Sequence, residues 1–322
     1  MKRSACLIFN PAAGQGNPDQ DLARIRALLE PEIDLDIQLT SKEQGAGQLA
    51  KQAIARSASA IIASGGDGTL SSAATAVVNS GIPFGVISRG TANAFASALD
   101  IPNSIDAACA TILEGHTRTV DTAFCNGRPM VLLAGIGFEA EAVARADRRA
   151  KNRFGVLAYI LAGLQQLRQM KSFSVEIETP DKIVKTRAAA VTIANAAPPT
   201  SVLAQGTAAV LVDDGLLDLT VVAPSNIAGA IAAVYHLFQT ATAGDPAARD
   251  DIGYLRSHQF KVTTRPAQRV VLDGEMIGTT PVEIRCLPQS LEIFVPGHDD
   301  AQSTEKLEGL PNLVIESKRD QF

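Results

Sequence analysis

Gly65-Gly66-Asp67-Gly68-Thr69 is the motif around which the N-terminal half of the sequence is organised. The apolar run just before it, 60–63, is typical of a buried parallel strand, and residues 70–78 just after it can continue as a helix. A strand, a glycine turn and a helix start together form a phosphate-binding arrangement. Glycines let an anion come close to the backbone, and the helix N-terminus points N–H groups and positive dipole at that anion.

One carboxylate, that of Asp67, lies inside this turn. A carboxylate beside phosphates is repulsive unless a divalent cation or a proton lies between them, so Asp67 indicates a magnesium nucleotide more than bare phosphate. The alternative is a tight turn between a strand and a helix that binds no ligand. Three glycines around an acid, closed by a threonine, favour phosphate binding over that alternative.

The composition predicts a globular protein with two domains and no nucleic-acid partner. The chain has 322 residues, of which 46% are hydrophobic and 20% charged, and this length is enough for two domains with a substantial core. The formal net charge of -5 argues against nucleic acid as the main partner. The longest uncharged stretch, 188–212, contains Asn195 and two adjacent prolines, which disqualify it as a membrane span.

Cysteines and histidines are both scattered along the sequence. No pair of cysteines has C-x-x-C spacing, which favours reduced thiols in a cytoplasmic protein. The four cysteines are Cys6, Cys109, Cys125 and Cys286. The four histidines are equally dispersed, so the sequence does not indicate a zinc site.

Strands and helices alternate up to about residue 122, as in a doubly wound three-layer α/β domain. The first strand leads into a flexible loop at Asn10, and the second strand ends at Thr40. A further strand, 83–87, leads into a second glycine turn, Ser88-Arg89-Gly90-Thr91-Ala92-Asn93. Because ligands sit at the carboxyl ends of the strands in open α/β sheets, we expect these features to lie on the ligand-binding edge.

The C-terminal half, from Phe173 onward, is predicted to be an antiparallel β sandwich or barrel. Turn signals such as Asp214-Gly215 and Asp273-Gly274 separate its short apolar runs, and one helix, 227–240, interrupts them. The predicted strands are 174–179, 188–193, 216–222, 259–264, 270–272, 282–286 and 291–295.

A basic segment, 145–171, lies between the two halves. It carries seven basic residues and one acidic residue, and its second half has an apolar stripe at helical spacing. Such a helix can lie on an anionic membrane. Alternatively, its apolar stripe can pack against the core while the basic residues at its start stay in solvent. The pattern by itself favours packing.

Two acidic stretches in the C-terminal half can carry chemistry or can be plain hairpin turns. Asp273-Gly274-Glu275 follows an apolar strand, and Asp-Gly is a strong hairpin signal. The functional alternative is a carboxylate that takes a proton from an attacking hydroxyl, and the residues alone leave both open. The stretch 213–218 is either a turn or an oxygen-rich metal site, and its pattern favours the turn.

Seven segments, in order along residues 4–296, resemble the diacylglycerol kinase catalytic-domain family, in particular its bacterial soluble lipid kinases. The segments are Asn10-Pro11 with Gly14 and Gly16, Gly65 to Thr69, Gly90-Thr91-Ala92-Asn93, Val120-Asp121, Gly135-Ile136-Gly137-Phe138-Glu139-Ala140, Asp214-Gly215-Leu216-Leu217-Asp218 and Asp273-Gly274-Glu275. Each is a weak signal alone, whereas all seven in order are highly specific. The sequence is also similar to sphingoid-base kinases and, more distantly, to NAD kinases and 6-phosphofructokinases.

The resemblance implies a two-domain, ATP-dependent lipid kinase. An α/β domain, 1–122, would bind ATP, and a β-rich domain, 123–297, would bind the lipid, with a C-terminal tail at 298–322 and the end of the chain able to return to the first domain. The acceptor would be the hydroxyl of diacylglycerol or a related lipid alcohol at the membrane surface. We therefore expect a cytoplasmic protein with peripheral membrane contact and no transmembrane span, which can form a homodimer.

The resemblance also assigns roles to residues at matching positions. Glu275 inherits the role of proton acceptor, and Asp67 would help to organise the catalytic Mg2+. A structural Mg2+ would be held by Asp214 and by main-chain oxygens near Leu211 and Leu216. The residues that would contact the nucleotide are Asn10, Thr40, Gly65, Gly66, Asp67, Gly68, Thr69, Leu70, Ser71 and Thr91.

Two positions depart from the family's pattern. The family commonly has an acid after Gly-Thr-x-Asn, where this sequence has Ala94, and the missing carboxylate can weaken Mg2+ binding. Relatives usually carry a glycine-rich stretch after the position of Asn195, whereas this chain reads Ala-Ala-Pro-Pro-Thr-Ser at 196–201, which leaves the acceptor open. A sphingoid-base or soluble-alcohol kinase and a non-catalytic nucleotide or lipid sensor are therefore alternatives. The two acidic segments of the C-terminal half argue against an NAD kinase.

Overall fold

The chain folds into two compact units. The first unit comprises residues 1–122 and 288–299, and the second comprises residues 123–287 and 300–322. The computed structural model describes residues 3–14, 16–138, 140, 172–198, 200–207, 209–297 and 309–317. The predicted basic helix at 145–171 lies outside these described residues.

Strands and helices alternate in the first unit, as the sequence predicts. They are β1 (Arg3–Phe9), α1 (Pro18–Leu29), β2 (Ile33–Leu39), α2 (Ala46–Ala55), β3 (Ile61–Gly65), α3 (Asp67–Val77), β4 (Phe84–Ser88), α4 (Ala94–Ser97) and α5 (Ile105–Glu114). The strands pair in parallel in the order β4-β3-β1-β2. Residues near 293 add a further parallel strand beside β4, with Ile293 opposite Phe84.

Local sequence signals fix where these elements begin and end. Asn17 caps α1, because its side-chain oxygen accepts the Asp19 N–H at 3.0 Å, and Pro18 occupies the first helical position. Strands β3 and β4 are buried at every residue, as expected for central parallel strands. The loops that follow these strands at their carboxyl ends are therefore held on a rigid base.

Among the residues that the structure describes, the second unit contains two antiparallel sheets and one long helix. Its elements are β5 (Thr117–Cys125, which begins in the first unit), β6 (Arg128–Met130), β7 (Leu133–Gly137), β8 (Phe173–Glu178), β9 (Lys182–Ala188), β10 (Ala190–Ala194), a 3-10 turn (Val202–Ala204), β11 (Leu217–Val222), α6 (Ile227–Ala243), β12 (Ile252–Ser257), β13 (Gln259–Arg265), β14 (Arg269–Leu272), β15 (Glu275–Thr279), β16 (Val282–Phe294, which ends in the first unit) and β17 (Val314–Ser317). One sheet has the order β12-β11-β10-β7-β14-β15, and the other contains β17-β9-β8-β13-β16.

The inner faces of these two sheets share one apolar core. Ile136 of β7 and Phe173 of β8, which belong to different sheets, are buried in the same cluster. The predicted fold class, an α/β domain followed by an antiparallel β-rich domain, is confirmed. The sequence prediction was wrong in dividing β16 into two strands, and it missed β9, whose lysine and arginine residues hide its apolar alternation.

The helices that the structure describes include none that is both long enough and apolar enough to cross a bilayer.

Candidate active site

The carboxyl ends of the parallel strands in the first unit bring the predicted nucleotide contacts together. Asn10 follows β1 and donates its backbone N–H to Ser64 O of β3 at 2.9 Å. Thr40 follows β2 and donates its N–H to Phe9 O at 2.9 Å. Both glycine turns begin at the same edge, because Gly65 and Ser88 lie opposite each other in β3 and β4.

The two glycine turns lie directly against each other. A Cβ atom added to Gly90 would lie 3.0 Å from the Cα of Gly66, so only a residue without a side chain leaves both backbones in place. The Arg89 N–H also donates to Gly65 O at 2.7 Å. The backbone N–H groups after each turn are thereby presented by a single surface, which suits a polyanionic ligand.

The first turn is held in shape by side chains at its two ends. Asn10 Nδ2 donates to Thr69 Oγ1 at 2.8 Å, which ties the loop after β1 to the first turn of α3. A Cβ atom on Gly65 would lie only 2.7 Å from Thr69 Cβ. A glycine at position 65 is therefore required by the packing of the threonine that closes the motif.

Asp67 connects the first glycine turn to α4, the helix that follows the second glycine turn. Its Oδ1 accepts the Phe95 N–H of α4 at 3.0 Å, and its side chain is partly exposed. Asn93, which precedes α4, adopts a left-handed conformation with φ +49°. A partly exposed carboxylate beside two glycine turns has the oxygen chemistry that Mg2+ prefers, so this position fits a magnesium ion. Ala94 supplies no second carboxylate here.

Several buried polar groups in and around the two turns lack a hydrogen-bond partner. Among the residues that the structure describes, these atoms are Ser64 Oγ, Ser71 Oγ, Ser88 Oγ and Asn93 Oδ1. Buried polar atoms are nearly always paired, and each exception requires an explanation. Their concentration at one edge of the sheet is compatible with internal water or a polar ligand at this edge.

Arg89 is a site residue whose role the sequence analysis missed. Its guanidinium is almost fully buried and lies 4.1 Å above the ring of Phe9. It donates to Asp21 Oδ2 at 2.9 Å, to Asn10 O at 3.0 Å and to Ala13 O at 3.0 Å. Arg89 thus fixes the loop after β1 beside the second glycine turn. The available signal was a basic residue two positions after the apolar run 83–87.

In the second unit, Asp273-Gly274-Glu275 forms the hairpin turn between β14 and β15. Asp273 and Gly274 both have positive φ, +47° and +87°, as such a tight turn requires. Glu275 is the first residue of β15, and its side chain is exposed. The structural and functional interpretations of this motif are compatible, because the turn itself presents the Glu275 carboxylate.

The Asp273 carboxylate anchors this turn to the start of β7. Asp273 Oδ2 accepts the Val131 N–H at 2.8 Å, while Oδ1 accepts the N–H groups of Leu132 and Leu133, each at 2.9 Å. The Asp273 N–H returns a bond to Leu133 O at 2.9 Å. Four hydrogen bonds therefore fix the backbone next to Glu275.

Burial raises the pKa of Asp273 to about 6, against the opposing effect of the three N–H donors. The folded state thus binds this proton more tightly than the unfolded state. The stabilisation that the folded state gains from this tighter proton binding is complete below about pH 4, the ordinary pKa of an aspartate. It is lost as the pH rises through about 6.

We therefore expect the free energy of unfolding to fall between these pH values by an amount on the order of 2 kcal/mol. The Asp273→Asn variant should lack this part of the slope, because asparagine does not titrate. Denaturant unfolding over a pH series measures the effect, with the exposed Asp34→Asn as a control that keeps the wild-type slope. Equal slopes in wild type and Asp273→Asn would contradict this assignment.

The predicted structural metal site contains a basic side chain. Arg256 Nη2 contacts Asp214 Oδ2, and Arg256 Nε donates to Asp218 Oδ1 at 3.1 Å. The other oxygen of Asp214 accepts the Leu216 N–H at 3.0 Å. A cation at Asp214 would have to compete with the guanidinium, so this donor set does not fit Mg2+ in the present arrangement. The metal assignment to Leu211, Asp214 and Leu216 stays a prediction.

Two family models match the chain, one in each half. Residues 4–125 match the diacylglycerol kinase catalytic domain, and residues 133–295 match the YegS C-terminal NAD kinase beta sandwich-like domain. The chain belongs to the diacylglycerol kinase catalytic-domain family. The predicted resemblance is thereby confirmed, and both of the family's domain types are present in their expected order.

Individual relatives of this chain support the same family assignment. The chain is 50% identical over 301 residues to an uncharacterised protein of Synechocystis, covering 90% of this chain and 70% of that protein. It is 30% identical over 306 residues to a diacylglycerol kinase of Bacillus subtilis, covering 92% and 97%. A crystal structure of a putative diacylglycerol kinase from Bacillus anthracis has the same fold, with a TM-score of 0.75 at 24% identity over 91% of this chain and 97% of that chain.

Membership of this family supports a phosphotransferase with an alcohol acceptor, and kinases of this kind use ATP. The site residues carried over from the family, the identity of the acceptor and the use of Mg2+ stay predictions.

Proposed function

We propose that the protein is an ATP-dependent lipid kinase that phosphorylates the hydroxyl of diacylglycerol or a related lipid alcohol. The observation that carries this proposal is the pair of adjoining glycine turns with its unpartnered buried polar atoms. That combination favours a polar ligand approached by backbone N–H groups, and the triphosphate of ATP is such a ligand.

In this proposal the first unit holds the nucleotide. The N–H groups at the start of α3 and in the second glycine turn would receive the phosphates, and Thr91, exposed in the second turn, would add its hydroxyl. Asn10 and Arg89 would keep the loop after β1 in place around the ligand. Asp67 would hold Mg2+, which when bound neutralises negative charge on the phosphoryl group being transferred.

Glu275 would act as the general base in the transfer. It would accept the proton of the lipid hydroxyl as the hydroxyl oxygen forms a bond to the γ-phosphorus and the bond from that phosphorus to the β–γ bridging oxygen breaks. The products are ADP, a phosphomonoester of the lipid and the proton left on Glu275. The Asp273 anchor would keep the Glu275 backbone fixed, since a misplaced base loses much of its effect.

Two observations keep specific alternatives open. The chain at 196–201, with its two prolines, replaces the glycine-rich stretch usual in relatives, and this change favours testing a sphingoid base and soluble alcohols as acceptors. Ala94, where an acid is usual, favours testing a sensor that binds nucleotide without transferring phosphate.

Incubation of the purified protein with labelled ATP, Mg2+ and a panel of acceptors separates these functions. The panel contains diacylglycerol in vesicles, a sphingoid base, glycerol and a total lipid extract. We expect label in a phospholipid formed from diacylglycerol. Label found only in the sphingoid base or in glycerol would show that this compound, and not diacylglycerol, is the acceptor. Measurable ATP binding with no labelled product in any sample would overturn the proposed enzyme in favour of the sensor.

A further inference from the structure

Helix α6 presents an unusual surface in the second unit. It begins at the cap Asn226, whose Oδ1 accepts the Gly229 N–H at 2.8 Å, and it ends at Gly244 with φ +73°. Its 17 residues include no aspartate, glutamate, lysine or arginine. Exposed helices of globular proteins normally carry charged residues on the solvent side, so the composition of α6 requires an explanation.

One face of α6 packs on the second unit, and the opposite face is apolar and exposed. The packed face contains Ala230, Ala233, Leu237 and Thr240. The exposed face, which we call the α6 stripe, consists of Ile227, Ile231, Tyr235 and Phe238, with exposures of 44%, 44%, 62% and 45%. Their spacing of four, four and three residues places them on one side of the helix.

Exposed large apolar residues are concentrated on this helix. Elsewhere in the described chain they occur singly or as adjacent pairs, for example Phe124 with an exposure of 36%. Isolated apolar residues are normal on a protein surface, whereas a contiguous group marks a surface that binds something apolar.

The size of the α6 stripe argues against a second copy of the chain as its occupant. Four side chains, each about half exposed, offer roughly 400 Å2, whereas a stable protein interface needs about 800 Å2 from each partner. A lipid surface has no such minimum, because a few apolar and aromatic side chains inserted at the interface are enough for weak, reversible binding.

We infer that the α6 stripe docks the protein on the surface of a lipid bilayer. This inference rests on the proposed function, because an enzyme whose acceptor is a membrane lipid has to reach that lipid at the bilayer. The stripe would insert Tyr235 and Phe238 at the level of the headgroups, where aromatic side chains are favoured.

The charges near α6 determine what kind of lipid surface it suits. The helix has no formal charge, and the segment after it carries the exposed Asp245 and Asp250. Attraction to anionic lipids therefore does not drive the docking. Binding through the α6 stripe should occur on neutral phosphatidylcholine vesicles and should change little between low and high salt, in contrast to binding through a basic segment.

The absence of tryptophan from the sequence allows a direct test. Phe238→Trp places a single fluorophore in the α6 stripe, and Phe124→Trp places one at an exposed aromatic position outside it. With phosphatidylcholine vesicles that contain diacylglycerol, we expect a blue shift and quenching by brominated lipids for Phe238→Trp, and no change for Phe124→Trp. Absence of the shift, or equal shifts in both variants, would overturn the inference. A shift that depends on protein concentration without vesicles would identify a second copy as the occupant instead.

A charged double variant tests the contribution of the stripe to binding. Ile231→Asp with Phe238→Asp should weaken partition to neutral vesicles about 30-fold, which corresponds to about 2 kcal/mol at 1.4 kcal/mol per tenfold change. Circular dichroism checks that the variant is folded, and unchanged partition would contradict the inference.

Activity separates this inference from the proposed function. On a short-chain diacylglycerol dispersed in solution, the double variant should retain wild-type activity, while on vesicles its activity should fall with its partition. If wild type phosphorylates no diacylglycerol in either form, the proposed function fails, whatever the fluorescence result. If wild type is active and the double variant is equally active on vesicles, only the docking inference fails.

Discussion

The Glu275→Gln variant is expected to transfer phosphate to the lipid about a thousandfold more slowly than wild type, because a positioned general base contributes about 10²–10⁴-fold. Glutamine has nearly the same shape as glutamate but cannot accept the proton of the acceptor hydroxyl. Glu275 is exposed on the first residue of β15, so the change should leave the fold intact. Initial rates with labelled ATP and diacylglycerol, together with ATP titration of each protein, measure both effects.

The expected pattern is a loss of kcat with little change in ATP affinity. Glu283→Gln provides a matched control, since Glu283 is another exposed glutamate of the second unit and lies in β16, outside the Asp-Gly-Glu turn. The control should keep wild-type rates. If Glu275→Gln turned over as fast as wild type, Glu275 would not be the proton acceptor, and the acid–base part of the proposal would fail.

The second large effect is expected from Gly65→Ala. The new methyl group would lie 2.7 Å from both Thr69 Cβ and Thr69 Oγ1, closer than non-bonded atoms allow. Thr69 has to move, which breaks its bond with Asn10 and displaces the backbone N–H groups at the start of α3. We expect ATP affinity to fall about ten- to a hundredfold, in line with the roughly 1–3 kcal/mol that overpacking costs.

Gly45→Ala is the control for this substitution. Gly45 has φ -80° and an added Cβ there meets no atom within 4 Å, so the same chemical change should leave ATP binding and stability close to wild type. Calorimetric titration with ATP measures the affinity, and thermal unfolding reports the stability. Wild-type affinity in Gly65→Ala would show that the first glycine turn does not hold the phosphates.

The architecture could be predicted from the sequence wherever the signals are local. Asn17 and Pro18 fixed the start of α1, and the apolar runs before the two glycine turns predicted β3 and β4. Strand β9 was missed because it alternates apolar residues with lysine and arginine on a partly exposed face. The β-rich fold was nevertheless predictable, because turn signals separate its strands at short intervals.

The contacts that support the site could not be predicted in the same way, because they join residues far apart in the chain. Val131 lies 142 residues before Asp273, and its N–H donates to the Asp273 carboxylate. Neither stretch of sequence contains a signal that identifies the other as its partner. Arg256 contacts Asp214 across 42 residues. The motif residues were recognisable because each motif is contiguous, whereas the side chains that hold them in place depend on the completed fold.

Hydrogen exchange with and without ATP measures whether the two glycine turns of the first unit bind the phosphates of ATP. We expect that ATP with Mg2+ slows exchange of the backbone amides of residues 66–70 and 91–95, and that adenosine, which lacks phosphates, does not. No slowing in these two segments, or equal slowing by adenosine, would contradict the account.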